Sequence, residues 1–203
     1  IYEGAQVGSF PVTVEDPSDK YTVSALDWTN EDVLITAAEG YLVSKDGEDV
    51  KNPTYEPDIT IEIPEDNWET QTFYFYLKKA GLSGGVIRQS IDYKIDKKAP
   101  TGTIHVGGQS WSQVVDGTDE KGQVVTGIED PKFRITAEDE GAGIQSVAYH
   151  VFENYVSKDS AAIENAVQED GGWKAYNNSD VDLDREKRNV VYVKLTDKAG
   201  NIT

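Results

Sequence analysis

The 203-residue chain sets 19 Lys and Arg against 37 Asp and Glu, a formal charge of −18, and has a mean hydropathy of −0.55. That sign argues against nucleic acid or an anionic membrane face as partner, because phosphate contacts need clustered cations. Cysteine is absent, which excludes thiol catalysis, disulfide staples and Cys-type zinc or iron–sulfur centres. No apolar run reaches the ~18 residues of a membrane helix, so no membrane insertion is expected within this segment. The length allows one large domain or two small ones, and an aromatic content of 10% argues for packed cores over disorder. Methionine is absent even at position 1, so Ile1 reads as the start of a mature or excised segment, with any leader or anchor outside it.

Residues 1–20 contain Gly8-Ser-Phe-Pro-Val-Thr-Val14, read as a first strand or the tail of a preceding module. The segments that follow have the period of strands. Apolar residues alternate in Ile59-Thr-Ile-Glu-Ile63, in Phe73-Tyr-Phe-Tyr-Leu77, in Ile144–Phe152 and in Val190–Leu195. Period-two runs closed by Gly, Asp, Asn and Pro predict antiparallel strands with one buried face. In Phe73–Leu77 the alternation puts Phe73, Phe75 and Leu77 on the core side and Tyr74 and Tyr76 on the other. One exception, Ser157–Gln168, has a polar cap, alanines and a Glu, and predicts a short helix between strands.

The polar stretch Lys94–Thr103, with Pro100 and Gly102, reads as a junction that Pro100 stiffens. The halves on either side carry −10 and −8, so charge assigns them no different partners. They also echo each other. Asp32-Val-Leu-Ile-Thr-Ala-Ala-Glu-Gly40 parallels Lys132-Phe-Arg-Ile-Thr-Ala-Glu-Asp-Glu-Gly141, and Thr72–Gly81 parallels Val190–Gly200. This repetition predicts two tandem all-β modules, residues 1–98 and 99–203, each an antiparallel β-sandwich.

Four stretches carry a family resemblance. Ile95-Asp-Lys-Lys-Ala-Pro-Thr-Gly-Thr-Ile104 resembles a module junction, and Asp27-Trp-Thr-Asn-Glu-Asp-Val-Leu-Ile-Thr36 an opening strand. Gly172-Trp-Lys-Ala-Tyr-Asn177 is similar to the segment after a small helix, and Val191-Tyr-Val-Lys-Leu-Thr-Asp-Lys-Ala-Gly-Asn-Ile-Thr203 to a penultimate strand and its turn. Together they are similar to the Ig-like repeats of secreted or wall-anchored surface proteins of Gram-positive bacteria. The resemblance implies two Ig-like modules, an extracellular or cell-wall location, and neighbouring repeats of the parent protein as partners. It implies a structural spacer role and no enzymatic activity. That family usually continues with one more strand after the counterpart of Thr203, so the second module is expected to lack its last strand.

Candidate chemistry is sparse. His105 and His150 lie in separate strands without a nucleophile or ligand motif and read as ordinary strand residues. The acids of Glu65-Asp66 and Glu138-Asp-Glu140 are expected from composition. Asp180, Asp182 and Asp184 alternate, which places three carboxylates on one face. They read first as a solvated strand edge and second as a calcium site. Asp197-Lys-Ala-Gly-Asn201 reads first as a turn held by the Asp197 carboxylate and second as offering Asp197 to a metal. Gly81–Gly85 lacks the Lys-Ser/Thr of a phosphate loop. Lys132 and Asn201 are the pair to examine for an amide cross-link. Trp68, Tyr74, Tyr76, Trp173 and Tyr176 are the candidates for a glycan- or host-protein-binding surface, the alternative to a spacer.

Overall fold

The structure is a computed structural model and describes residues 16–47, 50–107, 109–111, 131–153, 160–169, 172–187 and 189–203. The expected strand at Gly8–Val14 and the first residues of the expected helix, 157–159, lie outside them. Among the described residues the chain is mostly strand, and the paired strands are antiparallel.

A short 3-10 turn, Pro17–Asp19, is capped by the Asp16 carboxylate, which accepts from Ser18 N at 2.9 Å. Then come β1 (Tyr21–Val23), β2 (Val33–Ala37), β3 (Tyr41–Ser44), β4 (Asp58–Ile61), β5 (Trp68–Lys79) and β6 (Ile87–Asp96). They form two three-stranded sheets, β1–β2–β4 and β3–β5–β6. Past the junction lie β7 (Thr101–Val106), β8 (Gln109–Trp111), β9 (Lys132–Glu138) and β10 (Ile144–Glu153). The helix α1 (Ser160–Glu169) is followed by β11 (Lys174–Ala175), β12 (Val181–Asp182) and β13 (Asn189–Asp197). These strands make a four-stranded sheet, β12–β9–β7–β8, and a three-stranded one, β11–β10–β13.

The chain divides into two compact units. The first comprises residues up to Ser24, Leu34–Thr60 and Phe73–Ile91, and the second comprises Ala25–Val33, Ile61–Thr72 and Asp92–Thr203. In the first, alternation sends Phe75 and Leu77 inward to full burial beside a core that also buries Ile35, Val43, Ile59 and Ile91. Tyr21 meets Phe75 edge-on, with ring centroids 5.0 Å apart. Each such side chain contributes about 1.5–3 kcal/mol on burial.

In the second unit, Phe133, Ile135 and Leu195 are the buried centre of a cluster joined by Ile104, Val147, Tyr149, Val191 and Val193. These residues come from both sheets, so the two inner faces share one sandwich-like core. The outer face of β10 and β13 is covered too. Phe152 and the fully buried Val167 of α1 pack there with Trp173, Val190 and Tyr192. This cover buries His150, which period-two patterning alone places on an outer face. Its ring lies 4.2 Å from Phe152, and Nδ1 is 3.3 Å from the Gly172 carbonyl.

Within the second unit, the strand end at Asp96 is tied down by short contacts. Asp96 N donates to Thr29 O, and Lys97 N to Asn67 O, each at 2.9 Å. The Lys97 ammonium sits 2.7 Å from Asp32 and 3.3 Å from Glu65, and the Asp32 contact above all raises its pKa.

Candidate metal centre

Within the second unit, three strands end on an aspartate or just before one. Asp96 closes β6, Asp139 follows β9, and Asp197 closes β13. Each brings a carboxylate oxygen within 4.8 Å of the other two. Among the described residues this is the grouping of acidic or imidazole side chains with metal-ligand geometry.

Backbone amides aim the carboxylates. Asp96 accepts from Lys98 N at 2.9 Å and from Ala142 N at 2.6 Å. Asp197 Oδ1 accepts from Gly200 N at 2.7 Å and Asn201 N at 2.9 Å, which is the turn expected from the sequence. Gly200, at φ +101°, supplies the left-handed backbone that this turn requires. Asn201 Nδ2 donates to Asp197 Oδ2 and to the Asp96 carbonyl, both at 2.7 Å, and to the Lys98 carbonyl at 3.3 Å. Gly141 makes room for Asp96, since a Cβ there would stand 2.2 Å from Asp96 Oδ2.

The electrostatics are unbalanced. Asp96 and Asp197 are fully buried. Asp139 accepts from Gly143 N through Oδ2, while its Oδ1 is buried with no hydrogen-bond partner. None of the three makes an ion pair among the described residues; the nearby Lys98 ammonium pairs with Glu140 at 2.6 Å. Burial, and next to it the charges of Asp96 and Asp197, push the Asp139 carboxyl above the usual carboxylate range. Like charges drawn out of water at this spacing are costly unless a proton or a cation joins them. The donors are all hard carboxylate oxygens, a set that suits Ca²⁺ or Mg²⁺ better than zinc.

The acids singled out in the sequence are placed differently. Asp180, Asp182 and Asp184 do share an exposed side. Each is matched to a cation, however. Asp180 takes Arg134 at 2.7 Å, Asp182 lies 3.9 Å from Lys132, and Asp184 lies 3.3 Å from Lys187. Arg134 and Lys132 come from β9 and Lys187 from the same turn as Asp184, and among the described residues the grouping with metal-ligand spacing is the Asp96–Asp139–Asp197 one. The Lys132–Asn201 pair is likewise not assembled: Lys132 reaches Asp182, and Asn201 is bound to Asp96, Lys98 and Asp197.

Within the second unit, Trp173 and Tyr176 do not share an exposed surface. Tyr176 points into the core of the second unit, edge-on to Tyr149, and its hydroxyl accepts from Ile135 N at 3.1 Å. Trp173 is half-buried on the outer cluster, with the Lys194 ammonium 5.1 Å from its ring. Tyr76 is half-buried under the Gly47 turn, where an added Cβ would strike its ring at 2.7 Å. Tyr74 and Trp68 stay exposed, at 48% and 38%.

The sequence marks Asp197 as a turn residue first and a metal ligand second, Glu138-Asp-Glu140 as an ordinary acidic run, and Asp96 as part of the junction. The available signal was that all three stand at the closing end of a strand pattern. No protein-family model matches the chain, nor does any curated protein or any solved structure.

Proposed function

We propose that the chain is a pair of Ig-like structural modules from an extracellular bacterial surface protein, serving as a spacer that holds a distal domain off the wall. Ca²⁺ is the cofactor of that role. The observation carrying the proposal is the Asp96–Asp139–Asp197 cluster, two of its acids fully buried and none of the three in an ion pair among the described residues. A cation there ties the end of β6, the loop after β9 and the turn after β13 together. Such a tie stiffens a module without adding catalytic machinery, and neighbouring repeats would be its partners in the parent protein.

The test is thermal unfolding of the chelator-treated chain with and without Ca²⁺, joined to limited trypsin digestion at Lys97 and Lys98. A ligand present at about 100 times its Kd stabilises by about 2.7 kcal/mol. The proposal expects a rise in Tm and protection of both lysines with Ca²⁺. Identical melts and digests with and without it would remove the calcium role.

A second reading, an adhesin that binds glycan or host protein through exposed aromatics, keeps one specific support. Tyr74 presents about half of its surface to solvent on a sheet face.

A further inference from the structure

Between Glu69 and Asp92 the chain carries Lys78, Lys79 and Arg88 and no acidic residue. In a chain with 37 acids, this stretch is a local reversal of sign, and it coincides with most of β5, the turn and the start of β6. Its Phe73–Ile91 part belongs to the first unit.

The side chains sort by face. Phe75 and Leu77 fill the core. Tyr74, Tyr76 and Lys78 take the other side of β5 at successive two-residue steps. The Arg88 guanidinium stands 4.0 Å from the Tyr74 ring centroid, and the Lys78 ammonium 5.2 Å from that of Tyr55. Arg88 makes no ion pair among the described residues, and its guanidinium lies over one face of the exposed Tyr74 ring with no carboxylate to satisfy its fork of donors. A ring that stacks a sugar and a planar cation that takes a carboxylate bidentately recognise, side by side, the two halves of a uronic acid.

We infer that this face of the first unit docks an acidic polysaccharide, with a sugar ring against Tyr74 and its carboxylate on Arg88, and Lys78 meeting a neighbouring sugar. The inference rests on the adhesin reading for its use of Tyr74 and adds the charge of the ligand. Charge complementarity selects the occupant. A nucleic acid packs a phosphate every 1.7 Å of duplex, which the −18 of the whole chain opposes. A polymer of sparser charge is opposed less, because the remote acids are screened beyond about 8 Å at physiological salt.

The experiment is calorimetric titration of the full chain, in EGTA, with oligogalacturonate, dextran, polyglutamate and a short DNA duplex. Oligogalacturonate is expected to bind, and Tyr74→Ala and Arg88→Ala each to weaken it about tenfold or more, the scale of one charge-assisted contact. Arg88→Lys should restore part of the loss. Both residues are exposed or stacked on the surface, so Tm should be unchanged and a folding defect would be visible. Polyglutamate or DNA binding as tightly as oligogalacturonate would overturn the inference, as would unchanged binding in both variants or no binding at all. Dextran binding that is lost in Tyr74→Ala would also overturn it while leaving the adhesin reading intact.

Discussion

Asn201 Nδ2 donates to the backbone carbonyl of Asp96 at 2.7 Å, across 105 residues of chain. The same amide nitrogen reaches the Asp197 carboxylate and the Lys98 carbonyl, so one side chain fixes the spacing between two of the three clustered aspartates. Asn201→Ala should therefore cost about 2–3 kcal/mol, since several partly buried acceptors lose their donor at once. Urea denaturation monitored by Trp fluorescence measures it. A loss below about 0.5 kcal/mol would mean that the contacts are not held in solution.

Gly141→Ala tests the seating of Asp96. The new methyl would fall 2.2 Å from Asp96 Oδ2, so the carboxylate or the loop must shift. Overpacking of this kind costs about 1–3 kcal/mol. Calcium affinity should fall with it by about tenfold, a scale of one misplaced ligand. The matched change Gly84→Ala, where a Cβ meets nothing within 4 Å, should leave calcium affinity unaltered.

The sequence and the structure agree on where the long strands of the second unit run. Ile144–Phe152 and Val190–Leu195 form β10 and β13 because period-two apolar residues fix both strand and register. They diverge where burial comes from elsewhere in the chain. His150 is on the outer side of β10, yet α1 and Trp173 help to cover that side. Tyr176 follows the two-residue strand β11, too short to carry a pattern, and it turns inward as its N bonds Val147 O at 2.9 Å. Asp96, Asp139 and Asp197 meet only because three strands end at one place, and local patterning carries no record of that. Asp182 and Asp184, two residues apart in sequence, are matched to lysines instead.

Alkaline unfolding should show Tyr93. Burial, and next to it the hydrogen bond to Glu69 at 2.6 Å, push its phenol up to about 12 from an ordinary 10.0. A folded-state pKa above the unfolded one gives a contribution that is complete below about pH 10 and is lost as pH rises through about 12. Between those limits the wild type should lose about 2 kcal/mol more than Tyr93→Phe, at 1.36 kcal/mol per unit. Parallel stability curves for the two proteins from pH 9 to 12 would refute the assignment.

Tyr176→Phe separates a packing role from a binding one. It removes the acceptor for Ile135 N and keeps the ring against Tyr149. Stability should drop by about 1–2 kcal/mol. Oligogalacturonate affinity should match the wild type, and a loss of binding without a loss of stability would contradict the core placement of this ring.

The most direct test of the cation site is isothermal titration of chelator-treated protein with Ca²⁺, comparing wild type, Asp139→Asn and Asp182→Asn. One site is expected in the wild type, with a Kd between about 10⁻⁶ and 10⁻³ M, the range of sites built from few carboxylates. Asp182→Asn should bind as the wild type does, and Asp139→Asn should lose the site while remaining folded in EGTA, because the substitution removes one of three mutually repelling charges. Binding that survives in Asp139→Asn and disappears in Asp182→Asn, or no heat in the wild type at millimolar Ca²⁺, would contradict a calcium-clamped module.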